Sequence, residues 1–234
     1  AVSQAWSNGR VGAMGVSYSG TASELLLASG NPAVGAVAPL FSDFDAYTGL
    51  VRPGGVLARE FIRAWGESNR VLDSNAGCTG DSGWYCFLSQ LWVRGIKPVD
   101  ADLDGELLAG LLRQRSNYDI QAATADAEFA DDPVADGTMR PGFPVGNLAG
   151  IERSGVPMQV WVGWLDAATV DGALVRYNSI DNPQQLIIGP FNHGGSQSAD
   201  QYAPEDAAPR PGRREQYAER LEFLHKFLAG EGAE

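Results

Sequence analysis

The 234 residues include only two histidines, His193 and His225, so a nucleophile that needs an imidazole base has two choices. His225 lies in RLEFLHKFL, a regular amphipathic pattern in which packing or surface exposure accounts for it. His193 lies in LIIGPFNHGG, just past an apolar run and inside a glycine-rich turn, where a base at a strand's carboxyl end would stand. The best-placed serine is Ser17, in Gly15-Val16-Ser17-Tyr18-Ser19-Gly20. An apolar run ends at Ser17 and a helical pattern starts directly after it, the context of a nucleophile elbow. Such a turn is strained and needs small residues on both sides of the serine. Ser19 followed by Gly20 meets that need one position away from the usual Gly-x-Ser-x-Gly spacing. The Tyr18 backbone N–H, at the start of the helix, would face a developing oxyanion.

An acid must orient the base. Asp166, in VWVGWLDAATVDG, follows an apolar run and is the foremost candidate. Asp171, inside the next helical pattern, and Asp43 and Asp45, after the Val34–Leu40 run, are alternatives. With Asp166 the chain order is Ser, Asp, His, the order of hydrolases built on a mostly parallel sheet. The chemistry would be acyl transfer: Ser17 attacks an ester or amide carbonyl and water releases the acyl group. Gly80-Asp81-Ser82-Gly83 is similar to the serine loop of trypsin-like proteases. That arrangement has its His and Asp ahead of the serine, whereas both histidines here follow Ser82. The two histidines and two cysteines show no zinc-like spacing, and no phosphate-binding glycine loop with a lysine is present. Neither a metal nor a cofactor is expected.

The elements that must hold these side chains can be read from periodicity. Residues 11–16 (VGAMGV) form a short apolar run, SGTASELLLAS is helical, and VGAVAPL (34–40) is a buried strand. Strand patterns return at 156–163 and 185–189, with a helical segment, VDGALVRYNSI, between them. A last amphipathic helix over 213–228 puts Tyr217, Leu221, Leu224 and Phe227 or Leu228 on one face. Between the two halves, VLAREFIRAWGES, CFLSQLW and DGELLAGLLRQ are helical and show no strand alternation. The expected organisation is a parallel α/β core over 1–44 and 151–234, interrupted by a helical cap over 45–150.

Composition narrows the partners. A formal net charge of −12 argues against nucleic acid or an anionic membrane surface, and no run reaches the length of a membrane span. A small ester, amide or short peptide is the expected partner. Cys78 and Cys86, in CTGDSGWYC, are close enough for a short disulfide loop in an exported protein, and would otherwise be two thiols. The chain opens without Met, in AVSQAWSNGRVG, so its compartment, cytoplasmic or secreted, stays open.

Three blocks resemble the cocaine-esterase and X-Pro dipeptidyl-peptidase-like (CocE/NonD) hydrolases, which include α-amino-acid ester hydrolases and glutaryl acylases. Trp6-Ser7-Asn8-Gly9-Arg10-Val11-Gly12 leads into Gly15-Val16-Ser17-Tyr18. Asn31-Pro32 through Ala38-Pro39 is followed by Ser42-Asp43, Tyr47 and Pro53-Gly54-Gly55. Gly163-Trp164-Leu165-Asp166 is followed by Ile188-Gly189-Pro190-Phe191-Asn192-His193. The resemblance implies an α/β-hydrolase fold with Ser17 as nucleophile, Asp166 as acid and His193 as base. It also implies that the helical middle is a cap shaping the acyl pocket; lining that pocket and ordinary core packing account equally well for Trp65, Trp84, Tyr85, Phe87 and Trp92. The family's second oxyanion donor, a tyrosine hydroxyl, would precede residue 1, and its C-terminal β-sandwich would follow residue 234. The expectation is therefore an internal fragment, inactive on its own. Prolyl-oligopeptidase-like peptidases share the Gly-x-Ser-Tyr elbow but lack a long insertion between serine and acid. A non-catalytic binding domain is the alternative from another class, and an intact Ser, Asp and His set argues against it.

Overall fold

In the computed structural model, residues 2–75, 96–114, 119–134, 137–166, 169–204 and 206–229 are described. The four apolar runs become strands β1 (Val11–Val16), β2 (Val34–Leu40), β3 (Met158–Gly163) and β4 (Gln184–Gly189). They form one sheet in the order β1-β2-β3-β4, and every neighbouring pair is parallel. Val16 pairs with Leu40, Leu40 with Trp161, and Gly163 with Gly189, so all four carboxyl ends reach the same edge. The third strand starts two residues later than its apolar run. Pro157 has no N–H for the ladder, and pairing begins with the Met158 N–H donating to the Pro183 carbonyl at 2.9 Å.

The third strand is buried along its whole length. Its alternation sends Met158, Val160 and Val162 to one face, with Leu27, Val37, Ile151 and Ala173, and Trp161 to the other, with Leu40, Phe41 and Phe191. Buried Gln159 is tolerated because it is satisfied: its Oε1 accepts from Trp161 Nε1 and its Nε2 donates to Gln185 Oε1, each at 3.0 Å.

The helices are α1 (Tyr18–Ala28), α2 (Arg59–Asp73), α3 (Glu106–Gln114), α4 (Ile120–Thr124), α5 (Leu148–Ser154), α6 (Thr169–Ser179) and α7 (Arg213–Leu228). Helices α1 and α6 are tied by a fully buried ion pair, in which Arg176 Nε donates to Glu24 Oε1 at 2.9 Å and Nη2 lies 2.9 Å from Oε2. Helix α7 sets Leu224 and Leu228 of its apolar face against Gly12 of β1 but leaves the rest of that face open. Tyr217 and Leu221 are exposed, whereas Gln216, Arg220 and Phe223 are buried. The polar members find partners: Gln216 Nε2 donates to the Gly195 and Pro211 carbonyls, and the Arg220 guanidinium lies over the rings of Trp161 and Tyr217.

The chain divides into two compact units, one of residues 1–57 with 129–234 and one of residues 58–128. The first contains the sheet with α1, α5, α6 and α7. The second contains α2, α3 and α4, where Ile62 is buried and Trp65 stacks on Phe61. The α3 N-terminus is held by Asp102, whose carboxylate accepts from the Leu107 and Leu108 N–H groups at 2.9 Å. Cys78, Ser82, Trp84, Tyr85, Cys86, Phe87, Trp92 and the CFLSQLW segment lie outside the described residues.

Candidate active site

Ser17 stands between β1 and α1 with φ 62° and ψ −131°, a conformation that a residue with a Cβ rarely adopts. Holding it there costs about 1–3 kcal/mol, and the surroundings fix it from both sides. The Ser17 N–H donates to the Leu40 carbonyl at 2.9 Å, and its carbonyl accepts from the Thr21 N–H at 3.0 Å, the first bond of α1. The neighbouring small residues are a steric requirement. A Cβ on Gly15 would sit 2.4 Å from the Ser19 carbonyl carbon, and one on Gly20 would sit 2.8 Å from the Gly15 oxygen. Position 19 tolerates its hydroxymethyl because Ser19 Oγ donates to the Val16 carbonyl at 2.7 Å. The elbow's steric demand therefore falls on Gly15 and Gly20. The Tyr18 side chain is exposed, and its N–H belongs to the first turn of α1, where intrahelical acceptors are lacking.

Asp166 follows β3 and is buried. A Cβ on Gly163 would meet the Phe191 carbonyl oxygen at 2.3 Å, so only glycine lets the turn after β3 and the loop after β4 come so close. His193, in that loop, places Nδ1 2.9 Å from Asp166 Oδ1 and 3.0 Å from Oδ2. The Asp166 carboxylate beside the ring holds the imidazole pKa above its ordinary value, against the opposing effect of partial burial. With Nδ1–H donating to the carboxylate, Nε2 is the nitrogen left to accept a proton.

The loop carrying His193 comes close to the end of the strand that leads to Ser17: a Cβ on Gly194 would lie 3.9 Å from Val16 Cγ1. Among the described residues, no hydrogen bond joins the Ser17 hydroxyl to His193. In hydrolases without substrate this bond is often long and tightens when substrate binds. His225, on α7, is exposed, and Asp171 lies in the first turn of α6. Asp45 accepts from the Tyr47 N–H at 2.9 Å.

Several supporting residues were not anticipated from the sequence. The Thr169 hydroxyl donates to Asp166, 2.8 Å from its carbonyl oxygen and 3.1 Å from Oδ2, and so orients the carboxylate. Its signal was present as a hydroxyl three residues after the acid at a helix start. Phe41, buried and at φ 48°, lies edge-on to the His193 ring with centroids 6.2 Å apart. Asn192 Oδ1 accepts from the Ser196 and Gln197 N–H groups and shapes the histidine loop, which Gln216 ties to α7. Gln216 left no signal, because its partner is a backbone carbonyl distant in sequence.

Comparison with known proteins bears on the family and the fold. A family model described as X-Pro dipeptidyl-peptidase (S15 family) matches residues 1–195. Two proteins whose names propose a serine esterase, from Mycobacterium bovis and Mycobacterium tuberculosis, are each 34% identical over 221 residues, or 85% of this chain. The chain spans 35% of the length of each. A CocE/NonD family hydrolase from Staphylococcus aureus superposes with a TM-score of 0.55 at 17% identity, over 100% of this chain and 31% of that one. An aminopeptidase from a marine-sediment Thaumarchaeota archaeon gives 0.51 at 20% identity, over 94% of this chain and 35% of that one. These likenesses, with the parallel four-stranded sheet, make the fold an α/β-hydrolase fold. Among the described residues, no helix is long and apolar enough to cross a membrane.

Proposed function

Because the chain belongs to the X-Pro dipeptidyl-peptidase (S15) family, we propose that it carries the catalytic residues of a serine hydrolase acting on a small ester, amide or short peptide. One observation carries most of the weight: a histidine oriented by a buried carboxylate, in a loop that comes close to the strand leading to a strained serine.

Ser17 attacks the substrate carbonyl carbon while His193 Nε2 takes its proton. The carbonyl π electrons move to oxygen, and the Tyr18 N–H and the positive end of α1 stabilise the oxyanion. Asp166 stabilises the imidazolium that forms. The same imidazolium then protonates the leaving alcohol or amine, and an acyl-enzyme remains. Water, deprotonated by His193, repeats the sequence and frees Ser17.

The test is hydrolysis of p-nitrophenyl acyl esters and of X-Pro p-nitroanilides by the protein expressed with whatever flanking sequence its reading frame encodes. The expected result is turnover of at least one class, lost by a factor of about 10³ or more in Ser17→Ala and in His193→Gln. Hydrolysis that persists in Ser17→Ala would overturn the proposal.

A further inference from the structure

Beside the acid and the base stands a carboxylate that the mechanism above does not use. Strand β2 lies between the strands leading to Ser17 and Asp166, so the loop after it emerges between nucleophile and acid. Phe41 of that loop lies against the His193 ring, and two residues further on is Asp43. Its backbone is clamped to the nucleophile's helix: the Asp43 N–H donates to Thr21 Oγ1, and Thr21 Oγ1 donates to the Asp43 carbonyl, both at 3.3 Å. The carboxyl oxygen Oδ1 is buried and has no hydrogen-bond partner.

The charged groups that face Asp43 come from three other elements. They are His193 in the loop after β4, Asp166 after β3 and Arg176 on α6. Arg176 is engaged on two sides by Glu24, and its Nη2 is 3.4 Å from Ser42 Oγ. It offers Asp43 attraction at a distance and no hydrogen bond. His193 and Arg176 are the two opposite charges near Asp43, and of the two His193 is the one that the reaction charges. A carboxylate oxygen buried without a partner is costly, and such groups persist where they have a task.

We propose that Asp43 is a positioning residue for the reaction, a second carboxylate whose field, without a hydrogen bond, stabilises the imidazolium form of His193. When the Ser17 proton reaches His193 Nε2, the new positive charge is then shared by Asp166 through contact and by Asp43 through space. This rests on the assignment of Ser17 and His193 above. Burial and the nearby Asp166 push the Asp43 carboxyl up to about 6, with His193 and Arg176 pulling the other way, so the charge is present at neutral pH and lost in mild acid.

The test follows His193 directly, by NMR titration of its ring assigned through His193→Gln, and by pH profiles of kcat/KM. In Asp43→Asn, the His193 titration and the acid limb of the profile should both move to lower pH. The plateau rate should fall on the order of fivefold with KM unchanged, within the coupling typical of neighbouring groups. Asp43→Ser should do the same, and the loss should also appear when either change is added to Asp166→Asn. In the unaltered protein, the His193 titration should depart from a single-site curve, with a second inflection near the Asp43 value. Coincident His193 titrations in the parent and both Asp43 variants would overturn the proposal, as would a simple single-site curve in the parent. If Ser17→Ala is inactive while the Asp43 variants match the parent, this inference fails alone. If Ser17→Ala stays active, it fails together with the catalytic assignment.

Discussion

Replacing Gly15 by alanine tests whether the elbow's geometry is what makes Ser17 a nucleophile. The added Cβ would lie 2.4 Å from the Ser19 carbonyl carbon, 2.5 Å from its oxygen and 2.8 Å from the Gly20 nitrogen, whereas ordinary contact begins at 3.4 Å. All three neighbours are backbone, so no side-chain rotation relieves the clash, and the start of α1 must retreat from β1 by about 1 Å. Overpacking of that kind costs about 1–3 kcal/mol of stability. The functional penalty should be larger, because a displacement of about 1 Å at a reacting group costs on the order of 10²-fold in rate. Gly142→Ala is the control, since a Cβ there meets nothing within 4 Å and the residue is exposed. The assay is ester hydrolysis under saturating substrate alongside urea unfolding. Gly15→Ala should remain folded with kcat down about a hundredfold, while Gly142→Ala should match the parent. A Gly15→Ala protein within twofold of the parent kcat would refute the steric argument for the elbow.

Asp166→Asn should cut kcat by roughly 10³–10⁴ with little change in KM, and steady-state kinetics will show it. Hydrolysis needs neutral His193, whose pKa the Asp166 carboxylate raises above 6.5. The rate should therefore fall away at higher pH than a free imidazole would dictate, and Asp166→Asn should move that limb downwards in a pH–rate profile. Arg176→Met leaves Glu24 buried without its partner and should cost about 3–5 kcal/mol, seen in denaturant titration. Adding Glu24→Met should recover most of that loss. Asp43 has a folded pKa of about 6 against 3.8 for the ordinary group, so its contribution to stability is fully present below 3.8 and lost as pH rises through 6. Asp43→Asn should accordingly be more stable than the parent above pH 6, with the advantage gone below 3.8, by thermal melts across pH.

The strands were legible in the sequence because each is a run of apolar residues of the right length bounded by glycine or proline. Pro157 moved one boundary for a reason equally visible in the sequence. The elbow was legible as a strand-to-helix switch at Ser17, but not the division of labour between Gly15, Ser19 and Gly20, which depends on backbone distances. Histidine supply narrowed the base to His193, and its pairing with Asp166 rather than Asp43 or Asp45 needed coordinates. The buried face of α7 was only half legible, for a physical reason: Leu224 and Leu228 meet the sheet, but polar residues of the same helix are buried as well. Gln216 and Arg220 rank as surface residues on any hydropathy scale, yet backbone carbonyls and aromatic faces distant in sequence make their burial affordable. Asp43 illustrates the same limit: a carboxylate after a strand is ordinary until its neighbours are known.

The most direct measurement is to treat the protein with a fluorophosphonate and locate the adduct by peptide mass spectrometry. The expected result is a single phosphonylated residue at position 17, formed at a rate that drops sharply in His193→Gln. Modification of another serine with position 17 untouched, or labelling indifferent to the imidazole, would contradict the assignment of Ser17 as nucleophile and His193 as its base.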